Sequence, residues 1–325
     1  MLAALYRTAG DSGVLSVEEV RTPDPAPGEV RVRLRVAGVN PTDHKRRSST
    51  EPDADFQVPG QDGAGDIDAV GEGVDPARIG ERVWVWFAAR PAQPGQPGRP
   101  WGTAAQYTVV PSRQAVLLPG PASYDDGAGL GVPAMTAWHC LYAEGPVEGR
   151  TILVAGGAGA VGNAAIALAR RGGATVIATV SGQDKAALAQ AAGAHAVMNY
   201  RDHDVGDQIR AHAPDGVDRI VEVALGANLE LDLAALAPRG VISTYADDAL
   251  AELPVRRLMV ANATLRFVLI YGVTDEALDA AAGGVAAAAA DLPRLPITRF
   301  PLAEVAAAHD AVAQGTLGKV LLDIP

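Results

Sequence analysis

The sequence predicts an α/β protein that combines a doubly wound parallel sheet with a β-rich segment, and two observations indicate this. From Thr151 onward, β-branched runs alternate with Ala-rich helix-like segments, which is typical of parallel βαβ units. Before that, the run EVRVRLRVAGV from Glu29 to Val39 alternates apolar and polar residues, as in a half-buried strand. A chain of 325 residues exceeds the usual size of one core, so we expect two domains.

The elements of the second half follow from the same patterns. The segment YDDGAGLGVPAMTAWHCLY, from Tyr124 to Tyr142, has helical spacing and precedes the alternating region. Six strands suit a doubly wound sheet, and we predict them at 151–155, 175–180, 196–199, 219–223, 240–244 and 265–270. The tail predicts a helix within 274–292, a strand near 296–301, a helix over 302–313 and a strand within 318–325. The Pro- and Gly-dense stretch 88–102 predicts an exposed loop.

Composition excludes several classes of function. A formal net charge of −11, without long runs of one sign, disfavours nucleic acid and anionic membranes as main partners. Cys140 is the single cysteine of the sequence, so neither an intramolecular disulfide nor a Cys-rich zinc site can form. The N-terminus lacks a signal-peptide layout, and no apolar run has the length of a membrane span. We therefore expect a soluble cytoplasmic protein with a small-molecule partner.

The residues from Gly157 to Gly162 match the pattern G-x-G-x-x-G. Gly157, Gly159 and Gly162 follow the strand-like run TILVA directly and open the helix-like run NAAIALARRG. In that context, glycines permit a tight turn, and the helix N-terminus offers backbone N–H groups to a pyrophosphate. The sequence therefore predicts a dinucleotide site, the alternative being an ordinary strand-to-helix turn.

The end of the second predicted strand indicates which dinucleotide binds. A site selective for NAD places Asp or Glu there to accept hydrogen bonds from the ribose 2′-hydroxyl. Here Val180 is followed by Ser181, Gly182 and, three residues later, Lys185, which suit a 2′-phosphate better. We expect NADPH, although Lys185 beside Asp184 is also consistent with a solvated helix residue.

Several motifs together resemble a known family. GVNPTDHKRR, PGQDGAGDIDAVGEGV, GERVWVW, GTAAQYTVVP, TAWHCL and AGGAGAVGNAAIALAR occur in the order found in zinc-free medium-chain dehydrogenases/reductases. They are most similar to the quinone oxidoreductase, zeta-crystallin-like branch. The similarity runs from about Val30 to the C-terminus.

The resemblance implies a GroES-like β-rich domain with an inserted Rossmann domain. The expected boundaries are 1–120 plus 273–325 for the GroES-like catalytic domain and 121–272 for the Rossmann NADPH-binding domain. The resemblance also implies a homodimer in which the last Rossmann strand, within TLRFVLIYG, pairs with its symmetry mate. The alternative for that strand is simple burial.

The zinc-dependent relatives carry a Cys in the stretch corresponding to GVNPTD and a His-Glu pair in the one corresponding to PGQDGAG. Here those positions hold Asn40, Gln61 and Asp62, which do not make a zinc site, so we expect no metal. Without a metal to activate an alcohol, hydride delivery to an electron-poor acceptor is the favoured direction. Quinones and conjugated enones are acceptors of that kind.

Three residues are candidates for the chemistry at the acceptor. Asn40 is expected near the nicotinamide and the acceptor oxygen, as an amide that donates without titrating. Some enoyl-reducing relatives have a tyrosine after this stretch as proton donor, whereas this sequence has no tyrosine between Tyr6 and Tyr107. His44 and Lys45 stand there instead, as proton donors or substrate contacts. Solvent as donor, and a solvated basic turn, remain alternatives.

The remaining cofactor contacts are implied by the resemblance, position by position. Thr136 would contact phosphate or ribose, Tyr200 the adenine, and Leu269 the nicotinamide side, while Thr244 would lie at a strand end. The predicted cofactor-binding residues are Thr136, Gly157, Gly159, Ala160, Val161, Gly162, Ser181, Lys185, Tyr200, Thr244 and Leu269.

Two other functions are compatible with the sequence. One is an ene-reductase or tailoring enzyme acting on a secondary metabolite or an acyl thioester. The other is a non-catalytic NADPH-binding protein, since the branch includes lens crystallins.

Overall fold

A computed structural model describes residues 1–90, 98–247 and 252–325 of the chain. The contacts divide the chain into two compact units, a first unit of Met1–Val132 with Pro296–Pro325 and a second unit of Pro133–Leu295. Residues 91–97 of the loop predicted at 88–102 lie outside the described residues. At its two ends Ala88 and Gly102 are buried, because they pack on the first unit instead of facing solvent.

The described strands and helices are numbered along the chain. The strands are β1 (Leu2–Leu5), β2 (Ser16–Glu19), β3 (Glu29–Val39), β4 (Asp62–Val70), β5 (Arg82–Val85), β6 (Tyr107–Pro111), β7 (Ala115–Leu117), β8 (Thr151–Ala155), β9 (Thr175–Val180), β10 (Ala196–Asn199), β11 (Val217–Glu222), β12 (Leu236–Thr244), β13 (Thr264–Phe267), β14 (Ile297–Pro301) and β15 (Lys319–Asp323). The helices are α1 (Pro41–Ser49), α2 (Tyr124–Ala128), α3 (Gly131–Tyr142), α4 (Ala160–Arg171), α5 (Gln183–Ala191), α6 (Val205–His212), α7 (Leu225–Ala235), α8 (Val255–Ala261), α9 (Asp275–Ala288) and α10 (Val305–Ala313).

The first unit is built on a mixed sheet of order β14-β15-β3-β4-β5-β7, with β6 pairing β3. β3 spans the predicted residues, and its apolar positions Val30, Val32 and Leu34 are buried, whereas Arg33 and Arg35 between and after them are exposed. The C-terminal strand β15 pairs antiparallel with β3, so residues at the two ends of the chain are brought side by side. This pairing positions residues of the candidate active site described below.

The second unit contains a parallel sheet of order β10-β9-β8-β11-β12-β13 in the part of the chain that the structure describes. This is the predicted doubly wound arrangement, and the strand order reverses between β8 and β11. Helices cover both faces, with separate apolar clusters around Ile166 and around Ile209. In sheets of this kind, ligands bind outside the carboxyl ends of the strands at the reversal point.

Three of the six predicted strands, at 151–155, 175–180 and 196–199, are confirmed without change. Two others begin earlier than predicted, since β11 starts at Val217 and β12 at Leu236. The prediction of a strand over 265–270 is wrong at its end, because β13 stops at Phe267. Its partner β12 ends at Thr244, which pairs with Phe267, so the ladder has no further strand to follow.

The long Ala-rich helix α9 packs within the second unit. Leu278, Ala281, Ala282 and Val285 form its buried stripe, at the spacing of one helix face. A Cβ on Gly284 would lie 2.1 Å from the ring of Trp138, so the glycine allows close approach of this helix to α3. The compact units therefore divide at 132/133 and 295/296, after the boundaries predicted at 120/121 and 272/273.

α9 is 14 residues long. Across residues 1–90, 98–247 and 252–325, no helix combines the length and apolarity needed to cross a bilayer.

Candidate active site

The glycine turn of the second unit joins β8 to α4. β8 ends at Ala155, Gly156 has φ +66°, and Gly159 is the N-cap of α4 with no side chain to cap it. A Cβ on Gly162 would lie 2.4 Å from the carbonyl oxygen of Gly156, so the helix can approach the turn only with glycine there. The first residues of the helix, Ala160 and Val161, thus present an uncapped N-terminus at the carboxyl end of β8, which suits an anion.

Gly157 is close-packed for a different reason. Its Cβ would lie 2.9 Å from Ile166 Cδ1 and 3.0 Å from Ala178 Cβ, between α4 and β9. Gly157 and Gly159 therefore lie in the turn, and Gly162 packs against it from the first turn of α4. The structure thus brings these three predicted cofactor-binding glycines close together in the main chain.

A cavity of about 330 Å³ opens beside this sheet edge, at the carboxyl ends of β9 and β10. Its lining residues are Val180, Gly182, Gln183, Ala186, Val197, Met198, Asn199, Asp202 and Gln208. Neither Ser181 nor Lys185 lines it, although both flank lining residues in the sequence. Among the described lining residues, Asp202 alone is charged, a residue that sequence reasoning did not single out.

The other predicted cofactor residues of this unit are scattered around the sheet edge. Tyr200 directly follows β10, is exposed, and has the Arg201 guanidinium carbon 5.9 Å from its ring centroid. Thr136 is buried on α3, and Leu269 is 70% exposed beyond β13. Thr244 ends β12, and its buried hydroxyl has no hydrogen-bond partner among the described residues. Buried hydroxyls are normally paired, so this one is available to a ligand.

Sequence reasoning also missed two buried carboxyl groups near the end of β11. They are Glu222, the last residue of β11, and Asp232 on α7. Glu222 accepts hydrogen bonds from the backbone N–H groups of Val223 and Ala224 and from the Asn228 side chain. Burial, and then the neighbouring Glu222 carboxylate, raises the pKa of Asp232. Because burial and the neighbouring carboxylate both raise the pKa of Asp232, we assign the proton of this pair to Asp232 at neutral pH.

In the first unit, strand register brings together the residues that replace the zinc ligands. Val320 of β15 pairs with Val39, which places Lys319 beside Asn40, and Gly38 pairs with Asp62 of β4. The Asn40 Nδ2 donates to Asp62 Oδ2 at 2.7 Å, and Lys319 Nζ donates to Asn40 Oδ1 at 2.7 Å. All three side chains are buried. Asn40, Asp62 and Lys319 are called the buried triad below.

Glycines in the main chain around the buried triad leave room for its side chains. Asp62 Oδ1 accepts the backbone N–H of Val132 at 2.9 Å, at the start of α3. A Cβ on Gly131 would lie 2.0 Å from the same carboxylate oxygen, and one on Gly38 would lie 3.1 Å from Lys319 Cε and 2.2 Å from the Ala128 carbonyl oxygen. The carboxylate and the ammonium therefore occupy space that only glycine leaves free.

A further buried carboxyl, Asp43, lies one turn into α1. Its Oδ2 accepts the backbone N–H of Asn40 at 2.7 Å, as in a capping box. Burial raises the pKa of Asp43 to about 7, and the Asp62 carboxylate acts in the same direction. Asp43 therefore holds its proton in acid and loses it near neutral pH.

Asp43 makes stability depend on pH. Because its pKa is 3.8 in the unfolded chain and about 7 when folded, its stabilising contribution is complete below pH 4 and is lost as pH rises toward 7. We expect Asp43→Asn, which keeps an acceptor for Asn40, to be more stable than the wild type above pH 7, by up to about 4 kcal/mol. Urea unfolding at pH 4.5 to 8 measures this.

The control for that prediction is Asp75→Asn. Asp75 also caps a helical turn, by accepting the Ala77 N–H at 2.9 Å, but it is exposed. We expect its substitution to leave the slope of stability against pH unchanged. An Asp43→Asn curve parallel to the wild-type curve would contradict the raised pKa.

The other two catalytic candidates lie on the same helix as Asp43. His44 is half-buried, and burial lowers its pKa, as do the charges of Arg47 and Lys45. His44 is therefore neutral near pH 7 and is a weak acid in its resting form. Lys45 is exposed to solvent. Asn40, His44 and Lys45 are thus close along the chain, but only Asn40 belongs to the buried triad.

The donors at this site do not fit a zinc ion. The Asn40 amide is occupied at both ends, and Gln61 Nε2 donates to the Ala89 carbonyl at 2.8 Å. The ammonium of Lys319 lies 3.9 Å from the Asp62 carboxylate, where it opposes a second cation. Within the described residues, no group of three or more His, Cys, Asp or Glu side chains is placed to hold a metal.

Sequence reasoning missed Lys319, although Asn40 and Asp62 were both noted. The C-terminal run GKVLLDIP predicts only a strand, and nothing local indicates that its lysine is buried. The pairing of β15 with β3 decides it. Asp43 is part of the motif GVNPTDHKRR, but the sequence does not reveal its burial.

Two family models match the chain. The alcohol dehydrogenase GroES-like domain model matches residues 26–120, and the zinc-binding dehydrogenase model matches residues 160–283. A quinone oxidoreductase of Lama guanicoe is 29% identical over 323 residues, covering 96% of this chain and 94% of that protein. A 2-haloacrylate reductase of a Burkholderia species is 29% identical over 348 residues, covering 99% and 98%.

Solved structures agree with these relatives. A structure described as an NAD-dependent alcohol dehydrogenase has a TM-score of 0.87 at 26% identity, covering 100% of both chains. A mycobacterial protein complexed with NADPH has a TM-score of 0.83 at 27% identity, covering 99% of this chain and 100% of that one. The two domain matches lie in different parts of the chain, and the relatives cover nearly all of it. The chain belongs to the medium-chain dehydrogenase/reductase family and is an enzyme of the quinone oxidoreductase-like type.

Proposed function

We propose that the protein is an NADPH-dependent reductase that transfers hydride to quinones or other electron-poor conjugated carbonyls without zinc. The observation that carries this proposal is the uncapped glycine turn at the start of α4, at the carboxyl end of β8. Gly159, Ala160 and Val161 would hold the pyrophosphate through backbone N–H groups. When bound, NADPH supplies the hydride, and the reduced acceptor then takes up one proton.

The choice of NADPH rests on the residues after β9. No carboxylate directly follows Val180, and Ser181 and Lys185 offer a hydroxyl and a cation for the 2′-phosphate. The mycobacterial structure with NADPH supports the same choice. Asp202 in the adjoining cavity opposes a phosphate, which makes the ratio of NADPH to NADH affinity the most informative binding measurement.

The remaining cofactor contacts are proposed from their places in the second unit. The unpaired hydroxyl of Thr244 and the buried Thr136 would contact phosphate, ribose or nicotinamide groups. Tyr200 would lie against the adenine, and Leu269 on the segment over the nicotinamide. Exposure supports this role for Tyr200 and Leu269 and the unpaired hydroxyl supports it for Thr244, whereas the role of Thr136 rests on the resemblance.

The metal-free character rests on the chemistry of the buried triad. The side chains there are an amide, a carboxylate and an ammonium that are hydrogen-bonded to one another. The buried triad therefore contains neither the thiolate nor the imidazole that zinc prefers. Asn40 would donate to the acceptor oxygen that gains charge on hydride addition. The lowered pKa of His44 makes it the better substrate contact, which leaves exposed Lys45 or solvent as the proposed proton donor.

Reduction of an activated carbon–carbon double bond is the second candidate. The near full-length similarity to a 2-haloacrylate reductase favours it, because an acrylate is an electron-poor alkene. The chemistry required of the chain is the same: hydride to carbon, one proton to the product, and a donor to the carboxylate or carbonyl oxygen. A non-catalytic NADPH-binding role is the outcome if no acceptor reacts.

The test is oxidation of NADPH and NADH followed by absorbance, with a panel of quinones, enones and 2-haloacrylates. We expect acceptor-dependent oxidation with NADPH, a lower kcat/KM with NADH, and no effect of chelator on the rate. Metal analysis of the purified protein should give well under one zinc per chain. Stoichiometric zinc, or tighter capture of NADH, would contradict the proposal. Binding without oxidation by any acceptor would support the non-catalytic role instead.

We also propose that the protein is a homodimer through the edge strand β13, working in the cytoplasm. β13 is the outer strand of its sheet, so its free backbone groups can pair with a second copy about a two-fold axis. Exposed apolar side chains lie on β13, on α8 and just beyond β13, namely Phe267 on the strand, Val255, Met259 and Val260 on the helix, and Leu269 after the strand. A cluster of this kind marks an interface.

Phe267→Lys is expected to convert the dimer into a monomer. Phe267 is 69% exposed in the single chain, so a charge there costs the folded monomer little but opposes burial between two copies. Light scattering after size exclusion measures the mass. The control is Ile79→Lys, which adds a charge at an exposed apolar residue of the first unit and should leave the mass unchanged. A monomeric wild type contradicts the proposal.

A further inference from the structure

We propose that Lys319 is a positioning residue that fixes the orientation of the Asn40 amide, so that one N–H of Nδ2 remains as donor to the hydride acceptor. The inference rests on the proposed function for the role of Asn40. It concerns a residue at the far end of the chain from Asn40, brought to it by strand pairing. Lys319 itself is not assigned any contact with substrate.

The partners of the Asn40 amide leave it a single orientation. An ammonium has only donors and an ionised carboxylate only acceptors. The amide oxygen must therefore face Lys319, at 2.7 Å, and the amide nitrogen must face Asp62, at 2.7 Å. A rotated amide would place its N–H groups against the ammonium and its oxygen against the carboxylate. The charges of the two neighbours thus define which atom of Asn40 points where.

This arrangement also strengthens the donor. Oδ1 accepts from a cation, which withdraws electron density from Nδ2 and makes its remaining hydrogen a better donor. The second hydrogen of Nδ2 is the remaining polar hydrogen of this amide. Fixed, polarised N–H donors stabilise oxygen that develops negative charge, without reorganising during the reaction.

The site is rigid enough to hold this orientation. Lys319, Asn40 and Asp62 are 7%, 4% and 0% exposed. Asp62 is held in turn by the Val132 N–H and, through its backbone carbonyl, by the Thr103 hydroxyl. Gly38 leaves the space through which the lysine stem passes. Each triad member is therefore fixed by contacts that do not depend on a ligand.

The charges around the buried triad set its response to pH. Asp43 and Arg46 come from α1, Asp62 from β4 and Lys319 from β15. Burial raises the pKa of Asp62, and the Lys319 ammonium lowers it. Without that ammonium, Asp62 takes up a proton more readily, becomes a donor itself and no longer fixes Asn40 Nδ2.

The experiment compares Lys319→Met with Lys319→Arg, which keeps a donor-only cation. We expect Lys319→Met to lower kcat for the best acceptor tenfold or more, while KM and the Kd for NADPH change less than threefold. The remaining kcat should depend on pH differently from that of the wild type, because burial raises the pKa of Asp62 and the ammonium that lowers it is absent. Lys319→Arg should restore at least a third of the wild-type kcat. Arg21→Met, which removes an exposed cation of the first unit, is the control.

A readout independent of turnover is the ¹⁵N NMR signal of the Asn40 side chain. We expect slow exchange of its amide hydrogens in the wild type and exchange at least tenfold faster at the same pH in Lys319→Met. If Lys319→Met does not fold, the double variant Lys319→Met/Asp62→Asn, which removes both charges, is measured instead. We expect the same faster exchange of the Asn40 amide hydrogens and the same low kcat.

The inference is overturned if Lys319→Met retains kcat within twofold, or if the Asn40 signals are the same with and without the ammonium. Absence of turnover in the wild type with every acceptor would instead defeat the proposed function. In that case the NMR comparison still decides whether Lys319 fixes the amide.

Discussion

Gly162→Ala will lower the affinity for NADPH about tenfold or more and destabilise the fold by about 1–3 kcal/mol. The added Cβ would lie 2.4 Å from the Gly156 carbonyl oxygen, 3.0 Å from the Gly156 carbonyl carbon and 3.2 Å from Gly157 Cα. All three are backbone atoms of the cofactor turn, so no side chain can rotate away. Either α4 moves outward or the turn opens, and both would displace the N–H groups that we propose hold the pyrophosphate.

The matched control is Gly283→Ala, another glycine within a helix. A Cβ there meets no atom within 4 Å, so the substitution only improves helix propensity. We expect Gly283→Ala to stabilise the protein by about 0.5–1 kcal/mol and to leave NADPH binding unchanged. Calorimetric titration and urea unfolding of the two variants measure both effects. Equal NADPH affinity in Gly162→Ala and the wild type would show that the turn does not hold the pyrophosphate.

Arg219→Leu is expected to lower the free energy of unfolding by about 3–5 kcal/mol, because it removes a buried charge on which four carbonyl groups depend. Arg219 lies on β11 and is 6% exposed. Its guanidinium donates to the backbone oxygens of Leu141, Glu144, Gly145 and Pro146. These carbonyls end α3 and begin the connection to β8. Leucine fills part of the volume but leaves the carbonyls without a donor.

Arg210→Leu is the control for the arginine prediction. Arg210 also donates to two carbonyl oxygens, those of Pro214 and Ala234, but it is exposed, so water replaces the lost bonds. We expect a change of about 1 kcal/mol or less. Urea unfolding followed by circular dichroism compares the variants. A loss in Arg219→Leu no larger than that in Arg210→Leu would mean that the buried guanidinium contributes little.

Both predictions concern the second unit, where local sequence and structure agree closely. The runs TILVA and TVIATV form β8 and β9 over the predicted residues, because strongly β-branched segments bounded by glycine have few alternative conformations. The strand predicted over 265–270 failed at its end for a nonlocal reason. Its apolar residues continue to Ile270, but its neighbour β12 stops at Thr244, and a strand extends only as far as its partner.

The candidate site likewise has features that the sequence predicts and features that depend on contacts between distant residues. Spacing alone predicted the glycine turn, since G-x-G-x-x-G after a strand has a local geometric meaning. The neighbours of Asn40 were not predictable from spacing, because they depend on a register between residues 279 positions apart. Burial of Lys319 runs against the usual preference of lysine for solvent, and a sequence pattern gives no sign of an exception of that kind.

The amino-acid sequence by itself determined the class of fold, most strand positions, the glycine turn and the family, because these depend on local periodicity and on motifs read along the chain. Only the tertiary structure decided that Lys319, Asn40 and Asp62 share one buried site, that Asp43 is a neutral acid in part of the physiological range, and that Asp202 lines the cavity at the carboxyl ends of β9 and β10. The physical reason is that pairing of distant strands sets burial and charge proximity. Those two quantities fix the pKa of a carboxyl group and the orientation of an amide.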